Sequence, residues 1–156
     1  MGVKPIPDGY SSVTPYLIVT GAANALDYYK MAFDAQEIMR MPGPDGKIAH
    51  AEIQIGNARL MLADESPQMG HKSPQTIGGS GTGLMLYVND VDDTFQRAVS
   101  GGGKVVQEVK NQFYGDRSGT LADPFGHHWT IATHVEDVAP EEMKRRMDEA
   151  MKAAPR

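Results

Sequence analysis

Gly115–Thr133, with the sequence GDRSGTLADPFGHHWTIAT, is the stretch that decides the fold. Residues 116–122 carry alternating polar and small side chains, a pattern that predicts a strand. Asp123–Gly126 has proline at its second position and glycine at its fourth, which is typical of a tight turn. His127–Thr133 alternates again, with large apolar residues on one side only. The stretch therefore predicts two strands joined by a turn, and the second strand has one core face and one polar face.

Composition narrows the possible classes of protein. The chain has 156 residues, which is the usual length of one domain. Its net charge of −5, with one cationic cluster at Lys144–Arg146, predicts no nucleic-acid partner. It contains no cysteine, which excludes disulfides and thiolate chemistry. Met1–Gly9 lacks the apolar segment of a signal peptide, and no stretch approaches the roughly 18 apolar residues of a membrane span. We expect a cytoplasmic protein that does not contact membranes.

The order strand, helix, strand, strand, strand occurs twice along the chain. The first set is Val13–Thr20, Ala23–Phe33, Ala35–Met41, Lys47–Ile55 and Ala58–Ala63. The second set is Gly83–Val88, Val91–Ser100, Lys104–Val109, Asp116–Ala122 and His127–Thr133. The two sets align at a constant offset of 69 residues, as for Leu26 and Phe95, which indicates an internal duplication.

These patterns divide the chain into five parts. They are an N-terminal extension (1–12), a first module (13–64), a connector (65–82), a second module (83–135), and a C-terminal helix with its tail (136–156). The connector is rich in glycine, serine and proline, so it is either a linker or a flap over a site. Its run Gly78–Gly83 is not expected to hold phosphate, because it precedes a strand and no Lys-Ser/Thr follows it. The stripe Met143, Met147 and Met151 on the last helix predicts packing, on the domain or on a second subunit.

Three segments together resemble a known superfamily. They are TPYLIVTGAANALDYYKMAF (14–33), PDGKIAHAEIQIGNARLMLADE (44–65) and YGDRSGTLADPFGHHW (114–129). Over about Val13–Val135 the chain resembles the vicinal oxygen chelate superfamily of glyoxalases, bleomycin-resistance proteins and dioxygenases, and more narrowly its PhnB-like branch. The resemblance implies an α+β fold of two β-α-β-β-β modules, whose cupped mixed sheets surround a cavity, with a C-terminal helix added. It also implies a homodimer, but no single reaction, because this superfamily hosts several.

Strand alternation assigns two faces to these sheets. The set expected to pack under the helices is Leu17, Val19, Leu60, Leu62, Leu84, Leu86, Trp129 and Ile131. The set expected to line the cup is Thr14, Tyr16, His50, Glu52, Gln54, Arg59, Met61, Met85, Tyr87, His128 and Thr130. This second set is polar or adaptable, which suits a pocket for a polar organic molecule.

The resemblance also implies where a metal would bind. Metal-dependent members of the superfamily place ligands on the first and last strand of each module, and here those positions are Thr14, Met61, Gly83 and Thr130. None of the four is His, Glu or Gln, the side chains that hard divalent ions require. We therefore expect no metal at the usual site and no cofactor.

Several side chains keep more than one interpretation. His50 and Glu52 are two residues apart on one strand and so share a face, and His128 is expected across the cup. The three form a catalytic acid–base set, a non-standard metal site, polar contacts with a ligand, or purely structural hydrogen bonds such as one between His50 and Glu52. Arg117 either clamps a carboxylate or phosphate or forms a surface ion pair.

Three functions from different classes fit the sequence. The first is a metal-independent protein that binds a small polar or aromatic molecule, and its expected contacts are Tyr16, Gln54, Arg59, Met61, Met85, Tyr87, Arg117 and Thr130. The second is a lyase, isomerase or other metal-assisted enzyme that uses His50, Glu52 and His128. The third is an interaction module that dimerises through the C-terminal methionine stripe.

Overall fold

The computed structural model describes residues 2–155 and shows two four-stranded mixed sheets with their helices, which confirms the predicted α+β class. The first half comprises β1 (Tyr16–Val19), α1 (Ala22–Phe33), β2 (Gln36–Pro42), β3 (Ile48–Ile55) and β4 (Ala58–Asp64). A short helix, α2 (Pro74–Ile77), lies in the connector. The second half comprises β5 (Gly83–Tyr87), α3 (Val91–Ser100), β6 (Lys104–Asn111), β7 (Asp116–Ala122) and β8 (His128–His134), and α4 (Pro140–Ala153) follows it.

The two sheets have the same topology. Their strand orders are β1-β4-β3-β2 and β5-β8-β7-β6, with the first and last strand of each half paired in parallel. Tyr16 lies opposite Met61, and the equivalent pair 69 residues later is Met85 opposite Thr130. The repeat recognised in the sequence is therefore a repeat of element order and of strand register.

The helix-bearing faces of both halves form one shared core. Helix α1 contacts α3, and the rings of Tyr29 and Phe33 pack on Trp129 with centroids 5.5 Å and 4.6 Å away. Leu62 and Ile131, which face the helices of the two sheets, are fully buried in the same cluster. Because successive strand residues point to opposite faces, the cup set of each sheet points away from this core.

Asp123 fastens the second half to the first. Its carboxylate is buried, and it accepts hydrogen bonds from the Tyr29 hydroxyl at 2.6 Å and the Trp129 indole N–H at 2.9 Å. The backbone N–H groups of Phe125 and His127 also donate to it, each at 2.9 Å. The turn in the opening stretch therefore closes a hairpin and also holds helix α1 against the other half.

Three segments differ from the expectations or qualify them. Strand β1 begins at Tyr16, not at Val13, because Pro15 has no N–H to donate to a ladder, and Val13 is 84% exposed. Part of the connector is anchored, since Ser73 is fully buried and its hydroxyl bonds that of Thr20 at 2.8 Å. The methionine stripe of α4 stays partly open, with Met151 67% exposed.

No helix within residues 2–155 is both long and apolar enough to cross a membrane.

Candidate functional site

A chain of hydrogen-bonded side chains lies on the outer face of the first sheet. We call this surface the first cup face, and it comprises Tyr16, Met39, Met41, His50, Glu52, Gln54, Arg59 and Met61. The Tyr16 hydroxyl lies 2.8 Å from His50 Nδ1, and His50 Nε2 lies 3.1 Å from Glu52 Oε1. Tyr10, from the N-terminal extension, donates its hydroxyl to Glu52 Oε2. The hydrogen-bonded series therefore runs from the Tyr16 phenol through the His50 imidazole and the Glu52 carboxylate to the Tyr10 phenol.

Hydrogen bonds and burial shift the pKa values of the side chains in this hydrogen-bonded series. Donation from Tyr10, followed by that from His50, lowers the pKa of Glu52. Burial raises the pKa of both phenols most strongly; the hydrogen bond to Glu52 comes next for Tyr10, and the Glu52 charge comes next for Tyr16. Both phenols therefore remain protonated donors at neutral pH while the carboxylate is ionised. Tyr16 and Glu52 thus hold both ring nitrogens of His50, one at each end of the imidazole.

Arg59 supplies a positive charge beside this chain. Its guanidinium carbon lies 4.9 Å from the centroid of the Tyr10 ring, and its Nε donates to Gln54 Oε1 at 3.4 Å. Within residues 2–155, no acidic side chain lies at ion-pair distance from it. The first cup face therefore offers a carboxylate and a cation side by side, without a direct ion pair between them.

Methionines border the polar chain on the neighbouring strands. Met39 and Met61 lie on either side of Glu52, and Met41 lies opposite His50. Met39 is 37% exposed and Met41 47% exposed. Thioether side chains of this kind adapt to ligands of different shape. The sequence analysis missed both, because β2 is exposed along most of its length and its alternation carries no core signal.

The outer face of the second sheet carries charged and hydroxyl side chains of its own. We call it the second cup face, and it comprises Met85, Tyr87, Lys104, Gln107, Lys110, Asp116, Ser118, Thr120, His128, Thr130 and His134. The hydroxyls of Thr120 and Thr130 lie 2.8 Å apart, and Tyr87 donates to the buried carboxylate of Asp116 at 2.8 Å. Tyr87 is 58% exposed. His134 Nδ1 lies 2.7 Å from the same Asp116 carboxylate, so Tyr87, Asp116 and His134 form the hydrogen-bonded group of this face.

The sequence-predicted residues therefore separate into two groups. Six lie together on the first cup face, and four lie on the second: Met85, Tyr87, His128 and Thr130. His128 belongs to the other sheet, so within one chain it does not join His50 and Glu52. Thr14 precedes strand β1.

Arg117 does not belong to either cup face. Its side chain lies on the helix side of β7 and forms two hydrogen bonds of 2.8 Å with Asp92 of α3. Of its two interpretations, the ion pair is the one that the structure contains, and the carboxylate or phosphate clamp stays a prediction. Tyr10 is the contact that sequence reasoning missed, because a polar extension with proline and glycine gives no signal for a partner 42 residues away.

Comparison with known proteins assigns the family. A profile of the Glyoxalase/Bleomycin resistance protein/Dioxygenase superfamily matches residues 11–131. The chain belongs to this superfamily. The Mycobacterium tuberculosis protein Rv0887c is 46% identical over 139 residues, which covers 87% of this chain and 82% of that protein. The resemblance drawn from the three sequence segments is thus confirmed.

Two solved structures show the same fold at low sequence identity. The PhnB protein from Bacillus cereus is 16% identical, with a TM-score of 0.64 over 79% of this chain and 99% of that one. A fosfomycin resistance protein, FosX, from Listeria monocytogenes is 17% identical, with a TM-score of 0.61 over 86% of this chain and 97% of that one. That FosX structure contains Mn(II) and a dihydroxypropylphosphonic acid.

The residues at the superfamily's metal positions do not fit a divalent ion here. Met61 offers a thioether and Gly83 no side chain, whereas manganese and similar ions prefer carboxylate and imidazole ligands. The Thr130 hydroxyl is already bonded to Thr120. Among residues 2–155, no three His, Asp or Glu side chains are arranged so that they could hold a metal.

Proposed function

We propose that this protein binds a small polar or aromatic organic molecule at its first cup face, without a divalent metal. The observation that carries the proposal is the chain Tyr16–His50–Glu52, in which hydrogen bonds of 2.8 Å and 3.1 Å fix each polar group before any ligand arrives. Preorganised groups of this kind reduce the entropy cost of binding. The methionines around them supply apolar contacts that adapt to the ligand.

We further propose that a second copy of the chain completes the cup. The helix-bearing faces of both sheets are buried in the shared core of one chain. The two cup faces are open to solvent, with Tyr16 46% exposed and Met85 47% exposed. Two antiparallel copies would place the first cup face of one chain opposite the second cup face of the other. A homodimer of this kind brings His128 towards His50 and Glu52, which a single chain does not.

The test is a screen of small organic compounds by thermal shift, followed by calorimetric titration of the hits. We expect affinity to fall about tenfold or more in His50→Ala and Arg59→Ala, since each removes a polar contact in a partly desolvated site. Arg117→Ala is the matched control, because it removes an arginine that lies off the cup face, and it should bind normally. Chelator or added Mn(II) should leave affinity unchanged. Hits that bind equally well to His50→Ala and Arg59→Ala would refute the proposed site.

Acid–base catalysis is the second candidate, and the linear arrangement of Tyr16, His50 and Glu52 favours it. The Tyr16 oxygen can take a proton from a ligand as its own hydroxyl proton passes to His50 Nδ1, and the proton then rests on the imidazole beside the Glu52 carboxylate. Turnover of a bound compound that stops in His50→Ala would establish this function. Retention of full activity in the double variant His50→Ala, Glu52→Ala would eliminate it.

A further inference from the structure

The N-terminal extension places an aromatic ring on the first cup face. The Tyr10 hydroxyl donates to Glu52, and the Arg59 guanidinium lies over the Tyr10 ring. A turn holds this ring in place, with the Tyr10 N–H donating to the Pro7 carbonyl at 3.1 Å. Tyr10 itself is half-buried, while residues 2–9 are exposed. One phenol side chain is therefore bound at the site by a segment that otherwise lies in solvent.

We propose that Tyr10 occupies a subsite for a hydroxylated aromatic ring, and that the protein's ligand carries such a ring and displaces Tyr10. This inference rests on the proposed function and names the class of ligand for the same site. The phenol of Tyr10 acts as an internal ligand that competes with the external one.

The groups around the Tyr10 ring select a phenol over other ligands of similar size. An ionised Glu52 accepts a hydroxyl hydrogen but repels a carboxylate or phosphate at the same place. Arg59, which has no acidic partner within the described chain, attracts the face of an aromatic ring. A purely apolar ring would leave the Glu52 carboxylate without the donor that it has in the structure.

Gly9 keeps the Tyr10 ring seated against Arg59. Its φ of +85° is a conformation that favours glycine, and a Cβ at this position would lie 2.6–2.8 Å from three atoms of the Arg59 guanidinium group. Alanine at residue 9 is strained by the positive φ and also pushes against the Arg59 guanidinium, so it is expected to loosen the contact between the Tyr10 ring and Arg59.

The experiment is a calorimetric titration of the full chain with p-cresol, the side chain of tyrosine as a free molecule. Removal of an internal competitor raises apparent affinity. We expect p-cresol to bind Tyr10→Ala about tenfold more tightly than the unchanged protein, and Gly9→Ala to show a shift in the same direction. The gain should be lost in Tyr10→Ala, Glu52→Gln. Tyr114→Ala, which removes a tyrosine that is not on the first cup face, is the control.

Equal p-cresol affinity in the unchanged protein and in Tyr10→Ala would overturn the inference. Equal binding of toluene, which lacks the hydroxyl, would overturn it as well. Circular dichroism spectra that match the unchanged protein establish that each variant is folded. If the compound screen yields His50-dependent ligands while p-cresol shows no dependence on Tyr10, the proposed function stands and the phenol subsite alone is refuted. If neither result appears, both are refuted.

Discussion

The two halves of this protein have the same strand order, but the side chains on their two cup faces differ. On the helix side, Leu62 and Ile131 are equivalent, and both are fully buried. On the cup side, Glu52 of the first sheet lies opposite Met61, and its counterpart Thr120 lies opposite Thr130. The first face carries Tyr16, His50 and Glu52 and a hydrogen bond to the N-terminal segment, and the second carries two threonine hydroxyls and the group Tyr87, Asp116 and His134. The difference separates the residues that specify the fold from those available for a ligand.

The same comparison holds where each half starts its helix. In the first half, Asp64 accepts hydrogen bonds from the N–H groups of Gly21 and Ala22, both at 2.9 Å. In the second half, the equivalent residue is Thr133, whose hydroxyl accepts from the Val91 N–H at 3.0 Å. In both halves a side chain from the last strand accepts hydrogen bonds from backbone N–H groups at the start of the helix. That side chain is a carboxylate in the first half and a hydroxyl in the second.

The largest effect is expected where the two halves are joined. Asp123→Ala removes the acceptor of four hydrogen bonds, two of them from the buried side chains of Tyr29 and Trp129. Leaving buried donors unpaired should lower the free energy of unfolding by about 4 kcal/mol. Urea denaturation at fixed protein concentration measures this loss. The control Asp90→Ala removes an exposed helix cap and should cost about 1 kcal/mol; equal losses in the two variants would show that Asp123 does not join the halves.

A smaller effect should distinguish the two helix starts. Asp64→Ala loses three backbone donors, including the Ile48 N–H at 2.7 Å, and should cost about 2 kcal/mol of unfolding free energy. Thr133→Val keeps the shape of the side chain and should cost about 1 kcal/mol. Urea denaturation of both variants checks the order. A larger loss in Thr133→Val would mean that the two positions are not equivalent.

The smallest effect is a pH dependence of opposite sign in the two halves. The pKa of Glu52 is lowered, chiefly by Tyr10, so its contribution to stability is present above the ordinary value of 4.5 and lost as pH falls through the folded-state pKa. The pKa of His134 is raised, chiefly by Asp116 and then by Asp137, so its contribution is full below 6.5 and lost as pH rises through the folded-state pKa.

Thermal melts across these two pH ranges test that contrast. Glu52→Gln should flatten the acidic limb of the melting temperature and leave the neutral limb unchanged. His134→Asn should do the reverse. If either variant alters both limbs, the titrations of the two halves are coupled.

The alternation of residue types was sufficient to predict the strands and which residues lie on each of their two faces. The alternation in β3 and β8 correctly separated His50 from Ile53 and Thr130 from Trp129. It could not reveal how the halves meet, because the contact of Tyr29 with Asp123 joins residues 94 positions apart. It also could not place Tyr10 on Glu52, since that contact depends on the path of an irregular segment and not on a repeating pattern.

The most direct test of the central proposal uses mixed dimers. One chain carries His50→Ala, Glu52→Ala in its first cup face, and the other carries Met85→Ala, Tyr87→Ala in its second cup face. The two chains are co-expressed with different tags and purified by both. If each site combines the first cup face of one copy with the second cup face of the other, the mixed dimer has one intact site and binds one molecule of the strongest screening hit, while either variant alone binds none. A mixed dimer that binds nothing, or a protein that binds the hit as a monomer, would contradict a site built between two copies.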